Sequence, residues 1–125
     1  MIKYLLFLLA LSGCTNIAPS VDGWELVWQD EFNQDGRPNP AKWDYEEGFI
    51  RNEESQYYTR SRTENARVEN GHLIIEGRKE NFTNPKYDPN GKTWQTQRKS
   101  AEYTSASLIT LGKAHWKFGR IEVRA

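Results

Sequence analysis

Apolar and polar side chains alternate along most of the chain after residue 21, which predicts β-strands. Trp24, Leu26 and Trp28 recur at every second position and are expected to share one face of a strand. Trp43-Asp44-Tyr45 predicts a further short strand. Short strands separated by turn residues, with no convincing helical period, predict an all-β sandwich or barrel.

Residues 66–77 give the strongest local prediction, a β-hairpin. Asn70-Gly71 lies between the runs Ala66–Glu69 and His72–Gly77. Both central residues of a type I′ turn need a positive φ, which Asn and Gly adopt most readily. We therefore expect the two runs to pair as antiparallel strands.

The second half of the chain is expected to contain one long loop followed by two strands. Residues 81–97 hold two prolines and three asparagines, which predicts a loop, and loops of this length are often functional. Residues 103–111 and 115–125 predict strands on either side of Gly112-Lys113. In the last strand Ile121 and Val123 form an apolar face that we expect to be buried. The opposite face, which includes Arg120, either lies in water or forms the floor of a polar groove for a hydroxyl-rich ligand.

The start of the chain predicts export and lipid attachment. Residues 1–13 combine a positive start, an apolar run too short to span a bilayer and a small-residue exit, as in a secretory signal peptide. Leu11-Ser12-Gly13-Cys14 resembles a bacterial lipobox, so Cys14 is the expected lipidation site; an ordinary signal peptide is the alternative. Residues 14–21 then form a tether, residues 22–125 form one domain, and the anchor is expected in the outer membrane or at the cell surface. The alternating run still continues at Ala125, which suggests a fragment.

Composition excludes several classes of function. The formal net charge is zero, so no electrostatic footprint for nucleic acid is present. Cys14 is the single cysteine, and therefore no intrachain disulfide is possible. The sequence contains no Gly-rich phosphate loop and predicts no organic cofactor. It leaves the oligomeric state open.

Asp44 and Glu46 are the only acidic pair whose spacing suits paired-carboxylate chemistry. Residues two apart on a strand lie about 6.8 Å apart and point the same way, which is close to the separations that glycosidases use. The favoured interpretation is nevertheless a solvated strand end. His72 and His115 each stand alone in the sequence and predict no metal cluster.

Seven short segments occur in an order that resembles the N-terminal half of glycoside hydrolase family sixteen, in its laminarinase-like branch. The resemblance implies a concanavalin-like jelly-roll β-sandwich, here incomplete, with a concave sheet that forms a glycan cleft. The segments are Trp28–Phe32, Arg51–Glu54, Gln56–Thr59, Glu64–Val68, Gly71–Glu76, Tyr103–Ser107 and Phe118–Ala125.

The resemblance also implies an activity, endo-acting and retaining hydrolysis of a β-linked polysaccharide. A β-1,3-glucan of the laminarin type is the favoured substrate; a β-galactan or a mucin-type glycan is the alternative. The family's two catalytic glutamates lie in a Glu-x-Asp-x-x-Glu segment expected after Ala125. No catalytic residue is therefore assigned, and these 125 residues alone are expected to be inactive. A non-catalytic glycan-binding surface lipoprotein is the second hypothesis.

Several binding residues are implied by the same resemblance. Asn52 matches an asparagine that lines sugar subsites, although it could instead cap a turn. Glu53 replaces the second asparagine of the usual Asn-Asn-Glu, and a carboxylate only accepts hydrogen bonds. Ser107 stands where the family often has an arginine. Trp94 could stack on a sugar or pack beneath its own loop.

A structural calcium ion is implied as well. The matching positions are the carboxylate of Glu31 and the backbone carbonyl of Gly71. Calcium accepts such a mixture of oxygen ligands in a flexible shell. The alternative is that Glu31 simply faces water.

Overall fold

A computed structural model of the protein describes residues 23–125. These residues form seven short strands and one helical turn, which confirms the all-β prediction. No helix in this range is long and apolar enough to cross a membrane. The elements, in chain order, are β1 (Asp44–Glu46), β2 (Gln56–Tyr58), β3 (Ala66–Glu69), β4 (His72–Ile75), β5 (Arg78–Thr83), α1 (Trp94–Gln97), β6 (Ser100–Ser105) and β7 (Ser107–Ile109).

The strands form three small sheets, and one extended segment links two of them. β6 is central in a three-stranded sheet, antiparallel to β5 and parallel to β2. After Ala106 the chain continues as β7, which pairs antiparallel with β1. Because residues 100–109 pair with both β1 and β2, these two strands and the loop between them lie close together. A register shift between Lys79 and Phe82 interrupts the β5–β6 ladder.

The third sheet is the predicted β3–β4 hairpin. Asn70 has φ 53° and Gly71 has φ 76°, so both turn residues adopt the left-handed conformation that a type I′ turn needs. Glu69 pairs with His72 directly across this turn. The structure confirms the hairpin and the residues of its turn.

Two small apolar clusters form the core of the described residues. The first contains Tyr45, Ala66 and Ala106, with Leu108 packed against it. The second lies under the β1–β2 loop and is largely aromatic. It contains Phe49, Tyr57 and Ala101, with Phe82 and Trp94 packed against them.

Two of the predicted strands are wrong. Residues 25–35 belong to no strand, and Trp24 and Leu26 are about half exposed. Residues 115–125 are also irregular, and Ile121 and Val123 are 84% and 83% exposed rather than buried. Strand-like sequence forms a strand only where a neighbour accepts its backbone hydrogen bonds. No named strand among residues 23–125 pairs with either segment.

The predicted long loop is also shorter than expected. Its first residues, 81–83, extend β5, and α1 occupies residues 94–97. The intervening segment folds through hydrogen bonds of Asn84, which is buried despite its polar side chain. Its Nδ2 donates to the carbonyl oxygens of Gln95 and Arg98 at 2.8 and 2.7 Å. These hydrogen bonds therefore join the beginning of the loop to its end.

Candidate functional site

The β1–β2 loop, residues 47–55, carries two of the residues expected to bind sugar. Gly48 exchanges two backbone hydrogen bonds of 2.9 Å with Tyr58, and the Phe49 side chain is buried beneath the loop. Asn52 and Glu53 then have φ 57° and 51°, and both are exposed. Two adjacent non-glycine residues in this conformation are uncommon. The loop thus presents an amide and a carboxylate to solvent.

This loop and the strands next to it carry a connected set of polar contacts, which we call the polar surface (Glu46, Arg51, Glu54, Gln56, Tyr58 and Ser107). The Tyr58 hydroxyl donates to Glu54 Oε2 at 3.0 Å and accepts from Gln56 Nε2 at 2.9 Å. The Arg51 guanidinium lies 5.6 Å from the centre of the Tyr58 ring. These groups offer donors, acceptors and one aromatic face, which suits a ligand rich in hydroxyl groups.

Glu46 connects the loop to β7. Its Oε2 accepts a hydrogen bond of 2.6 Å from the Ser107 hydroxyl, and Arg51 also donates to it. Both contacts lower the pKa of Glu46, that of Ser107 more strongly. Ser107, where the family often has an arginine, therefore faces the same carboxylate as Arg51.

The Asp44–Glu46 pair lacks the electrostatics of a glycosidase acid. The hydrogen bond from Arg60 holds the pKa of Asp44 below its ordinary value, as the contacts above do for Glu46. A general acid needs a raised pKa to remain protonated near neutral pH. Both carboxylates instead act as ion-pair partners and acceptors.

Trp94 lies in the second apolar cluster rather than fully in solvent. Its side chain is half-buried, with its ring 5.9 Å from that of Phe49. The Arg98 guanidinium lies 5.6 Å from the Trp94 ring. This arrangement corresponds to the packing alternative in the sequence analysis.

Arg120 lies in the irregular segment after residue 115. Its side chain is exposed and pairs with Glu122 at 2.5 Å. No hydrogen bond or ion pair among residues 23–125 joins it to the polar surface. The structure therefore does not bring Arg120 together with Asn52 and Glu53 through direct contacts.

The segments that carry Glu31 and Gly71 adjoin each other. Asp35 Oδ1 accepts a 3.0 Å hydrogen bond from the Asn70 backbone N–H, and Gly36 pairs with Val68. Within residues 23–125, no three acidic, histidine or cysteine side chains come together as a metal site. Glu31 and the Gly71 carbonyl would supply only part of a calcium shell.

Cys14, the signal peptide (1–13) and the tether (14–21) lie outside the described residues.

The chain resembles curated glucan hydrolases, although no protein-family model matches it. It is 45% identical over 132 residues to a β-glucanase of Rhodothermus marinus, covering all of this chain and 41% of that protein. It is 34% identical over 117 residues to glucan endo-1,3-β-glucosidase A1 of Niallia circulans, covering 86% of this chain and 16% of that protein. The chain thus spans less than half the length of these relatives.

Solved structures give the same result. The laminarinase from Rhodothermus marinus is 50% identical, covering 77% of this chain and 33% of that one, with a TM-score of 0.60. A structure from work on endo-acting O-glycanases, which human gut bacteria express to initiate mucin breakdown, is 40% identical. It covers 78% of this chain and 35% of that one, with a TM-score of 0.71. A non-specific endo-β-1,3(4)-glucanase of family sixteen is 40% identical, covering 76% of this chain and 34% of that one, with a TM-score of 0.59. With these relatives in sequence and structure, the chain belongs to the laminarinase-like branch of glycoside hydrolase family sixteen and forms part of its jelly-roll domain.

Proposed function

We propose that the protein to which this chain belongs is an endo-acting, retaining glycosidase of β-1,3-linked glucan. The observation that carries the proposal is the 50% identity to a laminarinase over 77% of the chain. The polar surface supports it chemically, because its carboxylate oxygens accept hydrogen bonds from sugar hydroxyls while Arg51 donates them. Asn52 can do both.

The proposed role of residues 23–125 is substrate binding. No residue in this range is assigned to bond cleavage, and we place the nucleophile and the acid in a Glu-x-Asp-x-x-Glu segment outside this chain. Asn52 and Glu53 would contact sugar from the β1–β2 loop. Arg120, and the exposed part of the half-buried Trp94 side chain, are proposed as contacts of a long substrate at a greater distance from the loop.

The test is a product assay on the full-length protein with laminarin, mixed-linkage glucan, agarose and mucin glycan. We expect oligosaccharides of intermediate length from laminarin, with the β-configuration retained in the first product seen by NMR. The 125-residue chain alone is expected to release none. Binding of laminarin without hydrolysis by the full-length protein would instead support the non-catalytic lipoprotein.

A second candidate substrate is a β-galactan or a mucin-type glycan. The TM-score of 0.71 to the structure from the O-glycanase work favours it. So do Glu53 and Ser107, because an acceptor and a short hydroxyl stand where laminarinase-like relatives often have an amide and an arginine. The ratio of kcat/KM for mucin glycan to that for laminarin decides between the two.

Structural calcium is a separate proposal. Glu31 and the Gly71 carbonyl are oxygen ligands of the type that calcium prefers, and hydrogen bonds hold their two segments together. Calcium is expected to raise the Tm of the full-length protein, and Glu31→Gln is expected to reduce that rise. Equal Tm values with calcium and with a chelator would contradict the proposal.

Export and lipid anchoring at Cys14 form the last proposal. The lipobox-like Leu11–Cys14 segment supports it, and Thr15 after the cysteine favours the outer membrane. Cys14→Ala is expected to abolish incorporation of labelled fatty acid and to release the protein from the membrane fraction. Unchanged labelling of the variant would contradict it.

A further inference from the structure

We propose that Arg98 is a positioning residue, which holds the β1–β2 loop in the conformation that presents Asn52 and Glu53 to a glycan. The inference rests on the proposed glycan-binding function of that loop. Arg98 belongs to a distant part of the chain, immediately after α1. Nothing in the local sequence around residues 51–54 points to it.

Arg98 joins the end of the β1–β2 loop to the second apolar cluster. Its Nη1 donates a hydrogen bond to the carbonyl oxygen of Glu54, 44 positions earlier in the chain. Its guanidinium lies 4.8 Å from the centre of the Phe49 ring and 5.6 Å from that of Trp94. A planar guanidinium can stack on aromatic faces and still donate from its edge, which a lysine ammonium does not reproduce.

The segment that carries Arg98 contacts the loop at both ends. Lys86 Nζ donates to the carbonyl oxygen of Glu47 at 3.1 Å, while Arg98 contacts that of Glu54. Buried Asn84 fixes the base of the segment, because its amide binds the carbonyl oxygen of Arg98 itself. The two cations thus hold the loop by hydrogen bonds to carbonyl oxygens on either side of Asn52 and Glu53.

These hydrogen bonds maintain a conformation that the loop would rarely adopt without them. Asn52 and Glu53 are consecutive non-glycine residues with positive φ, and such residues persist where the surrounding structure holds them. Glu54, whose carbonyl Arg98 binds, directly follows them. Its N–H also closes the turn by donating to the carbonyl oxygen of Arg51 at 3.2 Å.

Arg98 acts through the loop rather than on the ligand. It is half-buried, and its guanidinium is engaged with two rings and one carbonyl. Asn52 and Glu53 are exposed and have no side-chain hydrogen bonds among residues 23–125. Loss of Arg98 should therefore weaken glycan binding only to the extent that these two residues contribute to it.

The test is a double-mutant cycle in the full-length protein with Arg98→Gln and Asn52→Ala. We expect Arg98→Gln to raise KM for the hydrolysed polysaccharide about fivefold with kcat little changed, because a displaced loop loses a hydrogen bond from Asn52 or Glu53 to the sugar. In the Asn52→Ala background the same change should raise KM by a smaller factor, because only Glu53 is then left for Arg98 to position. Arg98→Lys should give an intermediate KM. Lys92→Gln, at an exposed lysine of the same segment, is the matched control and should leave KM unchanged.

Hydrogen exchange of the hydrogen-bonded backbone amides of the loop, those of Gly48 and Glu54, gives a readout that needs no substrate. Arg98→Gln should speed their exchange while the β3–β4 hairpin stays protected. Equal exchange in the variant and the wild type, or fully independent KM effects in the cycle, would overturn the proposal. If the wild type hydrolyses no tested glycan, the proposed function fails, whereas the exchange experiment still decides whether Arg98 holds the loop.

Discussion

Asn65 shows how much one buried amide can contribute. It is fully buried and its side chain makes three hydrogen bonds. Oδ1 accepts from the Thr59 hydroxyl at 2.8 Å, and Nδ2 donates to the Glu76 carbonyl oxygen at 3.1 Å and to Thr104 Oγ1 at 3.0 Å. It thereby links the β2 end, the β3–β4 hairpin and β6.

Replacing Asn65 by Ala should strongly destabilise the full-length protein. The change leaves buried polar partners unsatisfied, each of which costs about 1–3 kcal/mol. We expect a loss of about 2–4 kcal/mol in the free energy of unfolding, measured by urea denaturation. Asn81→Ala, at an exposed position of β5, is the control and should change stability by less than about 0.5 kcal/mol. Similar losses in the two variants would contradict the role assigned to Asn65.

Glu80 extends the same network and makes it sensitive to pH. Its two carboxylate oxygens accept from Arg62 at 2.7 and 3.0 Å, and Thr104 donates to Oε1. The hydrogen bonds from Arg62 and then Thr104 lower the pKa of Glu80 from 4.5 to about 2. The unfolded chain therefore binds a proton more readily than the folded protein between these two pH values.

The stabilisation from Glu80 should be complete above about pH 4.5 and should be lost as the pH falls towards 2. Glu80→Gln should therefore reduce the fall in Tm of the full-length protein between pH 6 and pH 3. Glu102→Gln removes an exposed carboxylate of β6 that has no ion pair among the described residues, and it should leave the fall as in the wild type. An unchanged pH profile in Glu80→Gln would refute this account.

At the scale of elements, the β3–β4 turn allows a matched comparison of two glycines. Gly71 has φ 76°, whereas Gly77 lies outside the left-handed range, and a Cβ at either position would meet no neighbour within 4 Å. Gly71→Ala should lower the free energy of unfolding by about 1–2 kcal/mol, because only backbone conformation changes. Gly77→Ala should be neutral or slightly stabilising. Equal effects in urea denaturation would exclude a conformational origin.

The elements that could be predicted are those whose interacting residues lie close together in the sequence. The hairpin was predictable because its turn and both strands lie within one short stretch. The parallel pairing of β2 with β6 joins Tyr57 to Thr104, and no local pattern encodes such a distant pairing. The alternation of apolar and polar residues also predicted strands at residues 24–32 and 115–125. Both predictions were wrong, because no named strand in the described part of the chain pairs with either segment.

The candidate site also contains residues that could be predicted from the sequence and contacts that could not. Asn52 and Glu53 could be named because they lie inside a short motif that resembles the family. The contacts that hold this loop could not, since Arg98 reaches Glu54 across 44 positions and Ser107 reaches Glu46 across 61. Such contacts depend on the pairing of β2 with β6 and of β1 with β7.

At the scale of the whole molecule, residues 23–125 leave much apolar surface uncovered. Their core consists of two small clusters, each built around three buried residues. Large side chains near both ends of this range remain exposed, and sheets of two or three strands have little stability of their own. The most exposed are Val27, Leu111, Phe118, Ile121 and Val123.

The isolated segment of residues 22–125 should therefore associate in solution, because exposed apolar surface of this kind drives self-association. We expect it to bind a hydrophobic dye and to sediment faster as its concentration rises. Replacing Phe118 and Ile121 by Ser should reduce both effects, since these side chains are 85% and 84% exposed. Lys113→Ser, at an exposed polar position in the same part of the chain, should leave them unchanged. A segment that stays monomeric and binds no dye would contradict this prediction and show that these apolar side chains are buried within the segment itself.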